Sequence, residues 1–446
     1  TPLKLAAVLP EELIAGTNPK SIDIAEDREL WNALCRNIGI NQPPGGTAIN
    51  LDEAQEIADE VGFPVLIRPS YVLGGRAMEI VYDHSQLEKA MAELLEFGSL
   101  GIEGGLSSER PVLVDRFLEE AIEVDVDAIR DATGDTVIGA VMEHVEEAGI
   151  HSGDSACVIP PPHLNEEVIA KIEEFTLQIA EALEVKGLIN VQFAVKEDQI
   201  YVIEANPRAS RTVPFVAKAT GVPLAKVASR VMVGATLAEL REEKLLRPRA
   251  SGDHVAVKEA VLPFNRFPEA DPVLGPEMRS TGEVMGIDLT TGLAFAKSQI
   301  SAGGALPESG TVFMSLADRD KETGLEAARS LSDLGLEIVA TKGTAEHLEK
   351  NGIRVKDVVA KLDEEGTDAV ELIRSGAVQL VVNSPHGRGP RADGDHIRGA
   401  AGAEDIPLLT TASAALAAAK GLHEWKNSSL EVRTLQAYHE GVKAEH

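Results

Sequence analysis

Aromatic and sulfur-bearing side chains are scarce in this chain. Phe, Trp and Tyr make up 4% of its 446 residues, and two residues are cysteine. Cys35 and Cys157 cannot build a disulfide framework and show no CxxC spacing, which fits a reducing cytoplasm. No apolar run approaches the ~18 residues that a membrane helix needs, so no bilayer span is expected. Thr1-Pro-Leu-Lys-Leu5 has neither the basic nor the apolar region of a signal peptide. It also lacks an initiator Met, which points to a fragment or a processed product. Positive charge is short as well: 42 Lys and Arg stand against 72 Asp and Glu, a formal charge of −30. Such a chain repels nucleic acids and anionic membranes, so neither is an expected partner.

What is present is ordinary for a globular protein. Apolar residues are 44% of the chain, and the length calls for two or three domains. The basic residues divide into 19 Lys and 23 Arg. Excess carboxylate with few lysines suggests a halophilic surface, on which salt screens self-repulsion. An ordinary acidic enzyme accounts for the same numbers.

Hydrophobic periodicity predicts helices over 50–60 and 84–97 and strands at Phe63–Ser70, Glu79–Asp83, Pro111–Phe117, Glu123–Ile129 and Thr136–Val145. A long helix follows over 165–184. Strands Leu188–Val195 and Ile200–Asn206 are joined by the polar turn Lys196-Glu-Asp-Gln199, a hairpin signal. Helices over 212–220 and 223–243 close a region that reads as α+β and mainly antiparallel. Ser301-Ala-Gly-Gly-Ala-Leu-Pro-Glu-Ser-Gly310 reads as a linker. Beyond it, strands at Thr311–Leu316, Leu336–Thr341, Val378–Asn383 and Pro407–Thr410 alternate with helices over 320–334, 344–351, 367–375 and 412–421. That rhythm predicts a small parallel doubly wound domain, with ligands at the carboxyl ends of its strands.

Four segments can carry chemistry. Residues i and i+2 of a strand share a face, so Asn190 and Gln192 point one way, and Glu204 and Asn206 point one way. If the two faces coincide, hard oxygen donors of the kind Mg²⁺ takes converge; a solvated polar face explains the pattern equally well. In Ile67-Arg-Pro-Ser-Tyr-Val-Leu-Gly-Gly-Arg76, Gly74 and Gly75 let backbone N–H groups approach an anion. A ligand-free turn is the alternative, and a Walker A loop is excluded because no Gly-Lys pair exists. Glu147-Ala-Gly-Ile-His-Ser-Gly-Asp-Ser155 lacks a GxSxG elbow, so a ligand-binding loop suits it at least as well as a hydrolase triad. In Glu204-Ala-Asn-Pro-Arg-Ala-Ser-Arg-Thr-Val-Pro214, two arginines beside a candidate metal site suit an anionic substrate or a phosphoryl group. Pairing with surface acids is the rival explanation.

Together, RPSYVLGGRAMEIVYD (68–83), EVDVDAI (123–129), HSGDSA (151–156), NVQFAV (190–195), IEANPRASRTVPFVAKATGVPLAKVASRVM (203–232) and LPFNRFPEADPVLGPEMRSTGEVMGID (262–288) resemble the C-terminal half of the large subunit of carbamoyl-phosphate synthetase. The resemblance runs from about residue 17 to beyond 440. It implies an α+β ATP-grasp ligase domain followed by a small α/β doubly wound domain like methylglyoxal synthase. The expected boundaries are 1–16 for the remnant of a preceding region, 17–300 for a carbamate-phosphorylating domain, 301–310 for a linker and 311–446 for an allosteric domain.

By the same resemblance, Arg28, Arg68, Gly74, Gly75, Arg116, Leu118, Glu123, Gly149, Ile150, His151 and Ser152 contact ATP. Gln192, Glu204 and Asn206 hold Mg²⁺ or Mn²⁺, and Arg208 and Arg211 face the phosphoryl group and carbamate. Thr341, Thr344, Lys361 and Asn383 match positions that bind a nucleotide monophosphate effector. Ser384-Pro-His386 replaces a Thr-bearing segment there, which leaves the effector open. Glu146, Asp154 and Glu259 match an ornithine site, with structural ion pairing as the alternative. Expected partners are an N-terminal synthetase half, a glutaminase small subunit and a second copy of the chain.

Overall fold

The computed structural model describes residues 8–69, 78–99, 111–248, 253–267, 270, 272–360, 366–384, 392–428 and 430–440. The chain divides into two compact units. One holds Thr1–His144, Val158–Asp253 and Arg433–His446; the other holds Val145–Cys157 and His254–Val432.

The first unit is built on antiparallel sheets. Strands β1 (Gly45–Ala48), β2 (Val65–Pro69), β3 (Glu79–Val81) and β4 (Val112–Arg116) form a four-stranded sheet in the order β1-β4-β2-β3. Helices Leu51–Val61 and His84–Ser99 pack against this sheet, with Ala54, Ala58, Leu87 and Met91 in one core with Val65, Ile67 and Val114. The first of these helices starts at Asn50, whose side chain accepts from the Glu53 N–H and so satisfies one of the donors a helix start leaves open.

Four longer strands carry the candidate chemistry. They are β5 (Ile122–Arg130), β6 (Thr136–His144), β8 (Gly187–Lys196) and β9 (Gln199–Asn206), paired antiparallel in the order β6-β5-β8-β9. The short strand β7 (Cys157–Ile159) falls where the two units divide the chain. The expected hairpin is present, and its turn places Glu197 and Asp198 at positive φ, as a tight two-residue connection requires.

One face of these strands is apolar. Val124, Val126, Val191, Phe193, Val195, Ile200, Val202 and Ala205 join Ile172 and Ile179 of helix Glu166–Ala182 in one core. Core residues on β9 change parity, from 200 and 202 to 205. A bulge is the cause: Phe193 pairs with Val202, whereas Gln192 pairs with Glu204, so Ile203 is an extra residue. Uninterrupted alternation from Ile200 and Val202 would send Glu204 and Asn206 into the core. The extra residue sends them to the opposite face instead.

The helix expected over 223–243 is two helices, Leu224–Met232 and Leu237–Glu242. Gly234 adopts φ 107° between them, and Thr236 with Glu239 forms a capping box that starts the second. That T-x-x-E signature was visible in the sequence.

The second unit contains an antiparallel pair, β10 (Val255–Val261) and β11 (Gly282–Asp288), which periodicity left unassigned. It also contains a parallel five-stranded sheet. Strands β12 (Thr311–Ser315), β13 (Glu337–Thr341), β14 (Asp357–Val359), β15 (Leu380–Asn383) and β16 (Leu408–Leu409) run in the order β14-β13-β12-β15-β16. This is the doubly wound rhythm expected after residue 310. Helix Thr291–Ala302 extends into the stretch read as a linker, and the final Ala-rich helix runs longer than expected, over Ala412–Asn427.

The two faces of β8 are separable by mutation. Phe193 is fully buried in the core, so Phe193→Ala should cost about 3–5 kcal/mol in urea unfolding. Gln192 on the opposite face is only half-buried, and Gln192→Ala should cost under about 1 kcal/mol. Equal costs would contradict the two-faced arrangement.

Candidate functional site

The face of the β6-β5-β8-β9 sheet opposite its core carries a polar patch beside buried Ile129, Ala140, Met142 and Leu188. Register places Asn190 opposite Asn206 and Gln192 opposite Glu204. On the other side of β8, Asp125 faces Gln192 and Asp127 faces Asn190. The faces left open by periodicity therefore coincide. Asn206 Nδ2 donates to Glu204 Oε1 at 2.8 Å, and Arg208 Nη2 donates to Asn206 Oδ1 at 2.9 Å. Arg208 and Arg211 themselves are exposed.

The donor chemistry suits a hard divalent cation: one carboxylate and two side-chain amides on adjacent strands. Asn206 Oδ1 already accepts from Arg208, but an amide oxygen has a second lone pair for a metal. Gln192, Glu204 and Asn206 thus fit the metal that the resemblance implies.

A second cluster lies on the four-stranded sheet. Arg28 pairs with Asp115, and Arg68 Nε stands 3.9 Å from the same carboxylate. Burial pulls the Arg28 pKa down, and Asp115 opposes that shift. Asp115 was not singled out in the sequence, yet it links the two arginines assigned to ATP. Gly45 pairs with it across β1 and β4, and a Cβ on Gly45 would lie 2.2 Å from Asp115 Oδ1. Only glycine leaves that carboxylate room. Arg116 donates to the Phe63 carbonyl. Leu118 lies in the loop after β4 and is half-buried. Glu123 Oε2 lies 3.5 Å from His144 Nδ1. Gly74 and Gly75 lie outside the described residues.

Asp125, Asp127, Asn190 and His144 are all nearly or fully buried. Asp125 accepts from His144 Nε2 at 2.8 Å and Asn190 Nδ2 at 3.2 Å. Asp127 is fully buried, and that burial lifts its carboxyl to about 6 against hydrogen bonds from Thr212, Ser210 and Asn190. The alternating acids of EVDVDAI were the available signal, because i and i+2 share a strand face.

Gly149, Ile150, His151 and Ser152 belong to the second unit. His151 Nδ1 accepts from Gly153 N–H at 3.0 Å, and Ser152 O accepts from buried Lys258 Nζ at 3.0 Å. Nearby residues of the same unit hold three buried carboxylates. Asp154 accepts from the Arg279 and Ser280 N–H groups, and Glu146 accepts from Ala156 N–H at 2.6 Å. Glu259 accepts from Gln299 Nε2 at 2.5 Å. Burial, reinforced by the Glu146 charge, pushes Glu259 up to about 8.

In the parallel sheet, Thr341 ends β13 and Asn383 ends β15, at the carboxyl ends where such sheets hold ligands. Thr341 Oγ1 and Thr344 Oγ1 are 3.2 Å apart, and Thr344 Oγ1 also accepts from Leu316 N–H. Asn383 Oδ1 accepts from buried Arg398 Nη1 at 2.7 Å. Lys361 lies outside the described residues. Lys321 pairs with Asp318 at 2.7 Å, and its Nζ lies 3.9 Å from a Cβ built on Gly343, in the first turn of helix Lys342–Lys350.

Residues 27–240 match the family model described as carbamoyl-phosphate synthase L chain, ATP binding domain, and residues 323–410 match an MGS-like domain. The carbamoyl phosphate synthase large chain of Archaeoglobus fulgidus is 50% identical over 443 residues, covering 99% of this chain and 40% of that protein. Those of Synechocystis sp. and Mycobacterium tuberculosis are 49% and 51% identical, each match covering 98% of this chain and 40% of the relative. The chain belongs to the carbamoyl phosphate synthase large-chain family. It spans about two-fifths of the length of these relatives. Among solved structures, the biotin carboxylase domain of 2-oxoglutarate carboxylase from Hydrogenobacter thermophilus, in complex with MgADP, ADP and bicarbonate, aligns with TM-score 0.54 at 17% identity. That alignment covers 66% of this chain and 69% of that one. An ADP complex of N5-carboxyaminoimidazole ribonucleotide synthetase aligns with TM-score 0.51 at 15% identity, covering 64% and 73%. The fold of the carbamoyl phosphate synthase ATP-binding region here is accordingly of the ATP-grasp kind, followed by an MGS-like parallel domain.

Glu259 gives a signed pH prediction. Its proton is held more tightly folded, at about 8, than at the ordinary 4.5. The resulting stability is fully present below about 4.5 and is lost as pH rises toward about 8. The stability difference between wild type and Glu259→Gln, from urea unfolding at stepped pH, should fall through that window and level off above it. A difference independent of pH would place this carboxyl in the ordinary range.

Proposed function

We propose that this chain phosphorylates carbamate with ATP, giving carbamoyl phosphate and ADP. It would do so as the C-terminal part of a glutamine-hydrolysing carbamoyl-phosphate synthase serving arginine and pyrimidine biosynthesis. The convergence of Gln192, Glu204 and Asn206 on one sheet face, with Arg208 just beyond the strand bonded to Asn206, carries the reading, supported by the family match.

In this reading, residues 17–300 hold the nucleotide and residues 311–446 hold an effector. Arg28 and Arg68, linked through Asp115, bind phosphate oxygens. Gln192, Glu204 and Asn206 would hold Mg²⁺, or Mn²⁺ as the alternative hard cation, which would supply positive charge to the phosphates of ATP. Arg208, oriented by Asn206, stabilises charge spreading over the transferring phosphoryl group, and Arg211 binds the carbamate. A carbamate oxygen attacks the γ-phosphorus in line, and the bond to the ADP oxygen breaks. Positioning and electrostatics do most of this work. Excluding water also protects carbamate, which decomposes in it.

Carbamate supply falls to an N-terminal synthetase half and a glutaminase small subunit, in an assembly that can include a second copy of this chain. Thr341, Thr344, Asn383 and Lys361 would bind a nucleotide monophosphate. Glu146, Asp154 and Glu259 suit a cationic amine such as ornithine, because an ammonium relieves the repulsion between neighbouring carboxylates. The reducing use of cysteine supports a cytoplasmic setting. Among the described residues, no helix is long and apolar enough to cross a membrane.

The decisive measurement is ATP formation from MgADP and carbamoyl phosphate by the full chain. Glu204→Ala should lower its rate more than about 10²-fold, as expected for loss of a metal ligand and its charge. Wild-type turnover in that variant would refute the metal assignment, and MgATP binding without this reaction would favour a nucleotide-binding regulatory fragment. The acidic surface gives a separate test. Thermal stability should rise between low and molar KCl as like charges are screened; a flat profile would remove the halophilic reading.

A further inference from the structure

Arg208 and Arg211 lie on a segment with little regular structure of its own. Strand β9 ends at Asn206, and the next helix runs over Val213–Thr220. Both arginines are exposed, and the recorded hydrogen bonds of the Arg208 guanidinium are to the adjacent Asn206 side chain and Ala209 carbonyl. Where the Arg208 guanidinium sits therefore depends on how backbone 207–212 is held, and the same backbone carries Arg211.

A buried carboxylate meets that segment. Asp127, on β5, is fully buried. Its Oδ1 accepts from Ser210 Oγ at 2.7 Å and from Asn190 Nδ2 at 3.0 Å, and its Oδ2 accepts from Thr212 Oγ1 at 2.6 Å. The two hydroxyls are themselves 2.7 Å apart. Thr212 occupies the N-cap position of helix Val213–Thr220 but makes no side-chain cap bond. A Thr at that position normally bonds an open backbone N–H of the first turn. Here its hydroxyl goes to Asp127 instead. Asn190 completes the connection, since it also pairs with Asn206 across β8 and β9.

We propose that Asp127 is a positioning residue, which seats the 207–212 segment on β5 and β8 and thereby fixes Arg208 and Arg211 relative to Glu204 and Asn206. The inference rests on the reading of those arginines as phosphoryl- and carbamate-facing. Asp127 touches neither substrate nor metal. It acts through Ser210, Thr212 and Asn190, using the low-dielectric interior to make each bond strong and directional.

The test uses the full chain and four variants: Asp127→Ala, Asp127→Asn, the pair Ser210→Ala with Thr212→Val, and all three truncations together. Two readouts are taken, ATP formation from MgADP and carbamoyl phosphate, and hydrogen exchange of backbone amides. Asp127→Ala and the Ser210/Thr212 pair should each lower kcat/KM for carbamoyl phosphate at least tenfold while the Kd for MgADP stays within twofold. The triple variant should lose no more than either, because all delete the same contact. Exchange should accelerate over 207–212 and stay unchanged over 187–196. Asp127→Asn should fall within threefold of wild type, because hydroxyls can accept from the new amide. Wild-type kinetics and exchange in the Ser210/Thr212 pair would overturn the proposal. So would a loss in which MgADP affinity and exchange over 187–196 suffer equally, since that is general destabilisation. If wild type itself forms no ATP, the carbamate reading fails; unchanged exchange over 207–212 in the Ser210/Thr212 pair would still sink the anchoring, and local acceleration would uphold it.

Discussion

One extra residue in a β-strand sets what this site can be. Ile200 and Val202 point into the core, and strict alternation would bury Glu204 and Asn206 beside them. A carboxylate buried there without partners would cost several kcal/mol or be forced to protonate. Ile203 breaks the parity, returns Ala205 to the core and delivers Glu204 and Asn206 to the face that carries Asn190 and Gln192. A second register shift, between Asp127 and Ala128 on the neighbouring strand pair, lies beside Gly139 of β6. A Cβ on Gly139 would come within 2.9 Å of the Asp127 carbonyl oxygen, so the smallest residue allows the backbones to close up behind Asp127.

The consequence is a sheet with two unlike faces. The apolar face stabilises the unit through ordinary burial. The other face collects Asp125, Asp127, Asn190 and His144 in places where water is largely excluded, and such groups are tolerable only when bonded. They are bonded to one another and to Ser210 and Thr212. A network of this kind contributes little to net stability, because desolvation offsets much of what each bond gains. What it supplies is geometry: the linked bonds tie β5 and β8 to the segment that follows Asn206.

Much of this was legible in the sequence, for definable reasons. Strands 111–117, 123–129 and 136–145 and the hairpin after Leu188 announced themselves by period and turn, and the parallel domain by its alternation of strand and helix. The identity of the ligand face was not legible from period, because a bulge leaves no reliable mark in a single sequence; only the likeness of NVQFAV and IEANPRASRT to a known family brought Gln192, Glu204 and Asn206 together. Asp115 was hidden because its meaning depends on Arg28, 87 residues earlier. Strand β10 escaped notice because Lys258 and Glu259 interrupt its apolar pattern, although both are buried. Asp127 was hidden for a related reason: its partners Ser210 and Thr212 look like ordinary loop and cap residues until the fold places them together.

Net charge and local charge also have to be separated. A −30 chain is an unpromising receptor for nucleotides if charge is simply summed. Screening, however, limits each charge to about 8 Å at physiological ionic strength and less in concentrated salt. Within that range a phosphate would meet Arg28, Arg68 or Arg208 rather than the acidic exterior. Arg28 shows how the positive charge is kept in place: partial burial lowers its pKa, and Asp115, which sits against it, opposes that shift. The same carboxylate neutralises part of its field, so Arg28 can present donors without the full cost of an isolated buried cation. An acidic net charge and local arginine clusters are therefore compatible in one chain, provided each arginine is held by its own carboxylate or amide oxygen, as Arg28 is by Asp115 and the exposed Arg208 by Asn206.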